Sequence, residues 1–196
     1  MADLVPKKNR NLAKVSGGLA LPAMIDDGGL PAVLYHIPSR TGISIDVETV
    51  ARTAQAGGVI GLKETGSVGW VSALRHAAPD VPIFSGDDGL TLPMISLGAV
   101  GVISVASNVV PRMVADYVHD AVEGRYEKAL AAHERLHPLF ESLFREPNPA
   151  PVKAALVLAG RIPQAGVRLP LVDATPPLCA ELEGVLRALL PAPIPG

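Results

Sequence analysis

The sequence predicts an α/β fold in which four parallel βα units are followed by a helical region. From residue 30 onward, short apolar segments alternate with helical patterns, and these segments lack polar alternation. Continuous apolar strands of this kind are typical of parallel sheets that are buried on both faces. After residue 124 only helical patterns remain. A closed eight-stranded (β/α) barrel needs about 250 residues, so the 196-residue chain is too short for a complete one.

The first two βα units have clear boundaries. Residues 31–36, PAVLYH, form the first predicted strand. Asp46 is placed to N-cap a helix that runs to residue 55 and ends before a pair of glycines. Residues 59–63 form the second strand, and the helix that follows covers 68–78. Both helices place apolar residues on one face, as expected for helices that pack against a sheet.

The third and fourth units are shorter. Residues 82–85, PIFS, form the third predicted strand, and a short helix covers 90–97. The fourth strand spans 100–105. Pro111 then begins a helix that runs to residue 123, because proline is favoured in the first turn of a helix.

The pattern divides the chain into four parts. These are an unassigned leader at 1–29, the βα region at 30–124, a helical region at 125–190 and a tail at 191–196. The predicted helices of the third part cover 126–144, 151–159 and 177–190. The leader contains a basic patch and an apolar piece that is too broken for a secretory signal. We therefore interpret it as a disordered leader or a misplaced translation start.

Composition narrows the functional classes. The formal net charge of −2 gives no basic surface, which argues against nucleic-acid binding. No apolar segment reaches the roughly 18 residues of a membrane span. The single cysteine, Cys179, excludes an internal disulfide framework and a cysteine-rich zinc site. These features fit a cytoplasmic protein.

Lys63 is the most informative residue at the predicted strand ends. Chemistry in parallel α/β folds is located at the carboxyl ends of the strands, and Lys63 ends the second strand. Apolar neighbours desolvate its amine and so increase the neutral, nucleophilic fraction, as Schiff-base formation requires. Since successive strand residues face opposite ways, Glu64 is expected to point away from Lys63. The alternative is a structural lysine whose ammonium reaches solvent.

Other candidate residues near these strand ends also have structural interpretations. Tyr35 is either a general acid or base close to Lys63 or a core tyrosine with a solvated hydroxyl. Arg40, in the Pro-Ser-Arg-Thr-Gly loop, is either a carboxylate ligand or a solvated arginine. The Gly86-Asp87-Asp88 segment is a weak metal signal, and a structural turn is expected there. His133 and His137 lack the surrounding residues of a metal site.

Five segments, in order, resemble the dihydrodipicolinate synthase family, the Schiff-base pyruvate lyases of the N-acetylneuraminate lyase superfamily. They are LYHIPSRTG (34–42), GVIGLKETGS (58–67), FSGDDGLTLPMISLGAVGVISVASNVVP (84–111), EPNPAPVKAAL (146–156) and VRLPL (167–171). Together they cover roughly residues 30–190.

The resemblance implies a TIM barrel followed by a C-terminal helical bundle. It makes Lys63 the lysine that condenses with pyruvate and Tyr35 the proton-relaying tyrosine. Arg40 matches the arginine that binds the carboxylate of the aldehyde substrate, which favours the synthase branch of the superfamily. Ile103 falls where a backbone carbonyl lines the pyruvate pocket. The family implies no metal and no organic cofactor.

The chain departs from the family pattern in two respects. His36 stands where the family usually has asparagine. The first half of the barrel is missing, with its threonine loop and a second relay tyrosine, and residues 1–29 supply neither. The chain is therefore expected to be a partial TIM barrel, about the last four βα units, that pairs with itself or with a complementing N-terminal half.

The function implied is a 4-hydroxy-tetrahydrodipicolinate synthase-like lyase of lysine biosynthesis. It would join pyruvate to aspartate semialdehyde through a Lys63 imine, with impaired turnover in the isolated fragment. Two alternatives remain open: another pyruvate-dependent aldolase that acts on a sugar acid, and a catalytically dead fragment that only associates.

Overall fold

A computed structural model describes residues 17–190, which fold as a parallel sheet with helices. The strands are β1 (Ala32–His36), β2 (Val59–Glu64), β3 (Ile83–Ser85) and β4 (Gly101–Val102). The helices are α1 (Gly17–Gly28), α2 (Pro38–Thr41), α3 (Val47–Gln55), α4 (Val68–Ala77), α5 (Thr91–Ser96), α6 (Pro111–Val122), α7 (Tyr126–Phe144), α8 (Ala150–Leu158) and α9 (Pro176–Leu189). A 3₁₀ turn spans Ala106–Asn108.

The four strands lie in the order β1-β2-β3-β4, and every neighbouring pair is parallel. The predicted parallel βα arrangement is therefore confirmed. In this register Tyr35 pairs with Lys63, and Lys63 pairs in turn with Phe84. Because the strands are parallel, their carboxyl ends lie at one edge of the sheet, with the candidate residues.

The two faces of the sheet have different environments. Leu34, Leu62 and Ile83 alternate onto the face that packs into the hydrophobic core, and Leu62 and Ile83 are fully buried. The opposite face, here called the open face, carries Val33, Tyr35, Lys63, Phe84 and Ile103. Val33 is 43% exposed and Ile103 is 42% exposed. The residues that the structure describes thus leave apolar side chains of this face accessible.

Helix α1 corrects the expectation of a disordered leader. Residues 17–28 are helical, and α1 packs against α3. Leu21 contacts the core, and Ile25 lies over Gly58, where a Cβ atom would come within 2.3 Å of its methyl group. Gly58 also has a positive φ of 79°, so glycine fits this close contact on both grounds. The rest of the leader lies outside the described residues, as does the predicted tail at 191–196.

Strand β4 is shorter than the predicted 100–105 segment. It ends at Val102, although the N–H of Ile103 still donates to the Ser85 carbonyl at 2.8 Å. Beyond it, the N–H groups of Val105 and Ala106 both donate to Asp88 Oδ2 at 3.0 Å. This buried carboxylate turns the chain out of the sheet and into the 3₁₀ turn.

The C-terminal region is helical, as predicted. Helix α7 has the predicted bounds, while α8 and α9 each begin and end one residue earlier than expected. Helix α7 packs against α6, α8 and α9, with buried Leu139 and Leu182 in the shared core. Among residues 17–190, no helix combines the length and apolar character that crossing a bilayer requires.

Candidate active site

Lys63 and Tyr35 meet on the open face at the carboxyl ends of β2 and β1. The Lys63 Nζ atom lies 4.3 Å from the centroid of the Tyr35 ring, which is a cation–π contact. No hydrogen bond joins the two side chains, so the contact is made through the ring. Lys63 is half-buried, and none of the ion pairs within residues 17–190 includes it. The predicted proximity of Tyr35 to Lys63 is therefore confirmed, while the roles of both residues remain predictions.

Gly86 provides the space for the lysine stem. A Cβ atom at Gly86 would lie 2.8 Å from Lys63 Cε and 2.9 Å from Lys63 Cγ. It would also lie 2.6 Å from a methyl carbon of Thr65. Sequence reasoning considered this glycine only as part of a turn. The sequence feature that could have indicated this role is the position of Gly86 directly after β3, because β3 pairs with the strand that carries Lys63.

The other face of the same strand ends carries a buried pair that the sequence analysis did not identify. His36 is 3% exposed and Glu64 is 1% exposed. The His36 Nδ1 atom lies 2.5 Å from Glu64 Oε2. The prediction that Glu64 faces away from Lys63 is confirmed, and His36 is its partner on that side.

Arg40 lies on a short helix rather than in the predicted loop. Pro38 begins α2, and Gly42, with φ of 68°, ends it. The Arg40 side chain is exposed and forms no hydrogen bond or ion pair with the part of the chain that the structure describes. No hydrogen bond or ion pair joins it to Lys63 or Tyr35. Its guanidinium fork is thus accessible at the same edge of the sheet.

Ile103 continues the open face beyond β4. Its N–H group donates to the Ser85 carbonyl, but its own carbonyl accepts no hydrogen bond from residues 17–190. This backbone oxygen is therefore available as an acceptor at the edge where Lys63 ends β2. The carbonyl is the group to which the family resemblance assigned a role.

Asp87 and Asp88 act as acceptors within a turn, which is the structural interpretation expected for them. Asp87 Oδ1 accepts the N–H groups of Gly89 at 2.8 Å and Leu90 at 3.2 Å. Asp88 holds the segment after β4, and burial raises the pKa of its carboxyl against the opposing effect of these hydrogen bonds. Within residues 17–190, no three His, Cys, Asp or Glu side chains converge as a metal site would require.

His133 and His137 belong to the helical region. His133 Nδ1 lies 3.2 Å from the hydroxyl oxygen of Tyr117, and its ring is 5.6 Å from that of His137. Burial, aided by the neighbouring His137, lowers the pKa of His133. His133 therefore contacts Tyr117 of α6, while His137 is exposed on α7.

Replacing Asp88 by alanine is expected to lower the free energy of unfolding by about 2–4 kcal/mol. The substitution removes the acceptor of two N–H groups, one of them on fully buried Ala106. Urea unfolding of variant and wild type at equal protein concentration measures the loss. Asp80→Ala, at an exposed aspartate, is the control and should change stability by less than about 0.5 kcal/mol. Equal stability of the two variants would contradict the turn's assigned role.

Comparison with known proteins identifies the family. A family model described as the dihydrodipicolinate synthetase family matches residues 21–189. The chain belongs to this family. A 4-hydroxy-tetrahydrodipicolinate synthase from Persephonella marina is 47% identical over 168 residues, which are 84% of this chain and 57% of that protein. A 4-hydroxy-tetrahydrodipicolinate synthase from Archaeoglobus fulgidus is 41% identical over 85% of this chain and 58% of its own length.

Solved structures of the family share the fold. The dihydrodipicolinate synthase from Aquifex aeolicus superposes with a TM-score of 0.87 at 35% identity, over 97% of this chain and 64% of that one. The 4-hydroxy-tetrahydrodipicolinate synthase from Methylacidiphilum fumariolicum SolV gives a TM-score of 0.84 at 43% identity, over 87% and 58%. The chain therefore has the α/β fold of the dihydrodipicolinate synthetase family and spans less than two thirds of these relatives.

Proposed function

We propose that this chain carries the Schiff-base half of a 4-hydroxy-tetrahydrodipicolinate synthase-like lyase. Its sheet would be about the last four βα units of a TIM barrel. In this proposal Lys63 forms an imine with pyruvate, and the resulting nucleophile condenses with aspartate semialdehyde. The product would serve lysine biosynthesis.

One observation carries the proposal: a half-buried lysine stands at a strand end on the open face, in contact with a tyrosine, in a chain of this family. The family match and the named relatives support the reaction class. The Lys63–Tyr35 contact supports the assignment of the reacting residue. Gly86 keeps the lysine stem unobstructed, which a nucleophile that must reach a carbonyl carbon requires.

The chemistry needs few groups from this chain. The neutral Lys63 amine attacks the keto carbon of pyruvate, and loss of water leaves the imine. Tyr35 is assigned to proton transfer, and the free carbonyl of Ile103 lines the pyruvate pocket. Arg40 is assigned to the carboxylate of aspartate semialdehyde, because a guanidinium fork binds carboxylates through two parallel hydrogen bonds.

The exposed open face supports a further part of the proposal, namely that another segment covers this face in the active protein. Apolar side chains such as Val33 and Ile103 are more than 40% exposed, and a lysine imine needs shelter from water. The region of the relatives outside the match would cover this face. A function limited to association is the competing candidate, and it is favoured by the same exposed surface.

Turnover in a complemented sample tests the proposal. This chain is co-expressed with the part of the Persephonella marina relative that it does not match. The purified mixture of the two polypeptides is the complemented sample. Consumption of pyruvate with aspartate semialdehyde is then measured, with a sugar-acid aldol reaction as the second assay. Condensation is the expected result. Activity only in the sugar-acid assay would instead identify an aldolase. A stable complex without either activity would identify an association role.

Arg40→Ala in the complemented sample is expected to impair aspartate semialdehyde use by roughly 10- to 150-fold. A charge-assisted contact to a carboxylate contributes roughly 1.5–3 kcal/mol, which corresponds to this range. Imine formation with pyruvate should change little. Arg187→Ala is the control, since Arg187 is exposed on α9 and, among residues 17–190, pairs only with Glu183. Equal loss of both steps would point to a folding role, and unchanged kinetics would remove Arg40 from the site.

A further inference from the structure

The His36–Glu64 pair lies directly behind the proposed catalytic residues. His36 follows Tyr35 in β1 and Glu64 follows Lys63 in β2, and both pairs are in register. The two catalytic side chains therefore share one face while the buried pair shares the other. Any slip between the strand ends that separated the imidazole from the carboxylate would also separate Tyr35 from Lys63.

Both carboxylate oxygens of Glu64 have hydrogen-bond partners. Its Oε1 atom accepts the N–H groups of Gly66 at 2.7 Å and Ser67 at 3.3 Å, where β2 turns into α4. Its Oε2 atom faces His36 Nδ1 at 2.5 Å. A carboxylate that is 1% exposed needs such donors to offset its lost hydration. Glu64 thus ties the segment after Lys63 to β1.

The second ring nitrogen of His36 fixes the protonation state. The Ile45 N–H donates to His36 Nε2 at 3.1 Å, so this nitrogen carries the lone pair. The proton must then lie on Nδ1, from which it is donated to Glu64. A doubly protonated ring would direct an Nε2 proton toward the Ile45 N–H. The geometry therefore selects the neutral Nδ1–H imidazole.

Ile45 and Trp70 close the cluster. Trp70 Nε1 donates to the Ile45 carbonyl at 3.1 Å, so both backbone groups of Ile45 are held by side chains. The Trp70 ring in turn stacks on His36, with ring centroids 4.6 Å apart. His36, Ile45 and Trp70 thereby form a closed set of contacts that is anchored on Glu64.

This cluster holds the segment that carries Arg40. Residues 37–46, here called the strap, leave β1 after His36 and return to the ring through Ile45. The side chain of Ser44, also in the strap, lies 3.2 Å from Nε2. One imidazole thus links the strap on its Nε2 side to the lysine-bearing strand on its Nδ1 side.

We propose that His36 is a positioning residue that couples the Arg40 strap to the Lys63 strand, through Nε2 to Ile45 and through Nδ1–H to Glu64. The inference rests on the proposed function for its catalytic consequence, because it assigns His36 to the binding of the carboxylate-bearing aldehyde. It does not require His36 to touch a substrate.

Two substitutions separate the two bonds. In His36→Asn the amide nitrogen stands where Nδ1 stood, so the bond to Glu64 is kept while the acceptor for Ile45 is lost. In His36→Gln the amide oxygen reaches the Nε2 position, so the bond to Ile45 is kept and that to Glu64 is lost. Both variants are made in the full chain of the complemented sample.

Hydrogen exchange tests the coupling without any substrate. In His36→Asn, exchange of the Ile45 amide is expected to accelerate by about 10-fold, while amides of α8 are unchanged. In His36→Gln the Ile45 amide should stay protected. Unchanged Ile45 exchange in His36→Asn would overturn the proposal, and so would equal acceleration in both variants.

The kinetic test separates positioning from folding. His36→Asn is expected to raise KM for aspartate semialdehyde by roughly 10-fold or more, with imine formation at Lys63 within about 3-fold of wild type. Equal loss of both steps would overturn the proposal in favour of a general folding role. Absence of turnover in the wild type would contradict the proposed function alone, because the exchange experiment still decides on the coupling.

A spectroscopic measurement on the wild type covers the case in which a variant fails to fold. Nitrogen-15 chemical shifts of labelled histidine report which ring nitrogen carries the proton. The expected result for His36 is a protonated Nδ1 and an unprotonated Nε2. The reverse tautomer or a doubly protonated ring would overturn the proposal.

Discussion

Replacing Lys63 by arginine is expected to reduce pyruvate condensation in the complemented sample by about 10³-fold or more, without loss of assembly. Arginine stays charged and offers no nucleophilic amine, so the imine cannot form. Its planar guanidinium can still stack on the Tyr35 ring, which preserves the contact that Lys63 makes there. A steady-state assay with aspartate semialdehyde measures the loss.

The control for this substitution is Lys128→Arg. Lys128 is exposed on α7, in the helical region rather than at the sheet edge. Its replacement should leave the rate within about 2-fold of wild type, as for most exposed surface positions. A Lys63→Arg protein that retained condensation would contradict the assignment of Lys63 as the nucleophile.

The second large effect concerns assembly. The 20.3 kDa chain, purified alone, is not expected to persist as a stable monomer. Its open face exposes Val33, Tyr35 and Ile103, and β1 and β4 are edge strands in the described sheet. Open edges pair readily with other strands, and exposed apolar patches favour association. Light scattering of dilute protein should therefore report dimers or larger species.

Co-expression with the unmatched part of the Persephonella marina relative should convert these dimers or larger species into a complex with one copy of each polypeptide. Val33→Glu places a charge on the open face, which the second polypeptide would cover in this complex. The substitution is expected to weaken the complex by at least about 30-fold, or roughly 2 kcal/mol. Val172→Glu is the matched control, because Val172 is 73% exposed but lies before α9 rather than on the sheet. A cooperatively unfolding monomer of the isolated chain would contradict this prediction.

Local sequence signals accounted for most of the fold. Continuous apolar strands and alternating helices predicted the parallel βα units, and the position of Tyr35 and Lys63 at strand ends predicted that they lie close together. Because successive side chains of a strand point to opposite faces, the sequence also predicted that Glu64 faces away from Lys63. Helix α1 was missed because its glycines and Pro22 give a weak local signal. Tertiary contacts, such as that of Ile25 with Gly58, stabilise this helix instead.

The site was only partly predictable for the same reason. The His36–Glu64 contact joins residues that are 28 positions apart, so it depends on strand register rather than on local pattern. The early end of β4, at Val102, likewise depends on a distant residue. Asp88 accepts hydrogen bonds from N–H groups 17 and 18 positions further along the chain. Short-range reasoning treated Asp87 and Asp88 correctly as a turn but could not see which segment they hold.

Reductive trapping tests the central claim most directly. The complemented sample is treated with pyruvate and borohydride, which reduces an imine to a stable amine, and peptide mass mapping then locates the adduct. One pyruvate-dependent adduct is expected, on Lys63, and it should be absent from Lys63→Arg. An adduct on another lysine, or none at saturating pyruvate, would contradict it.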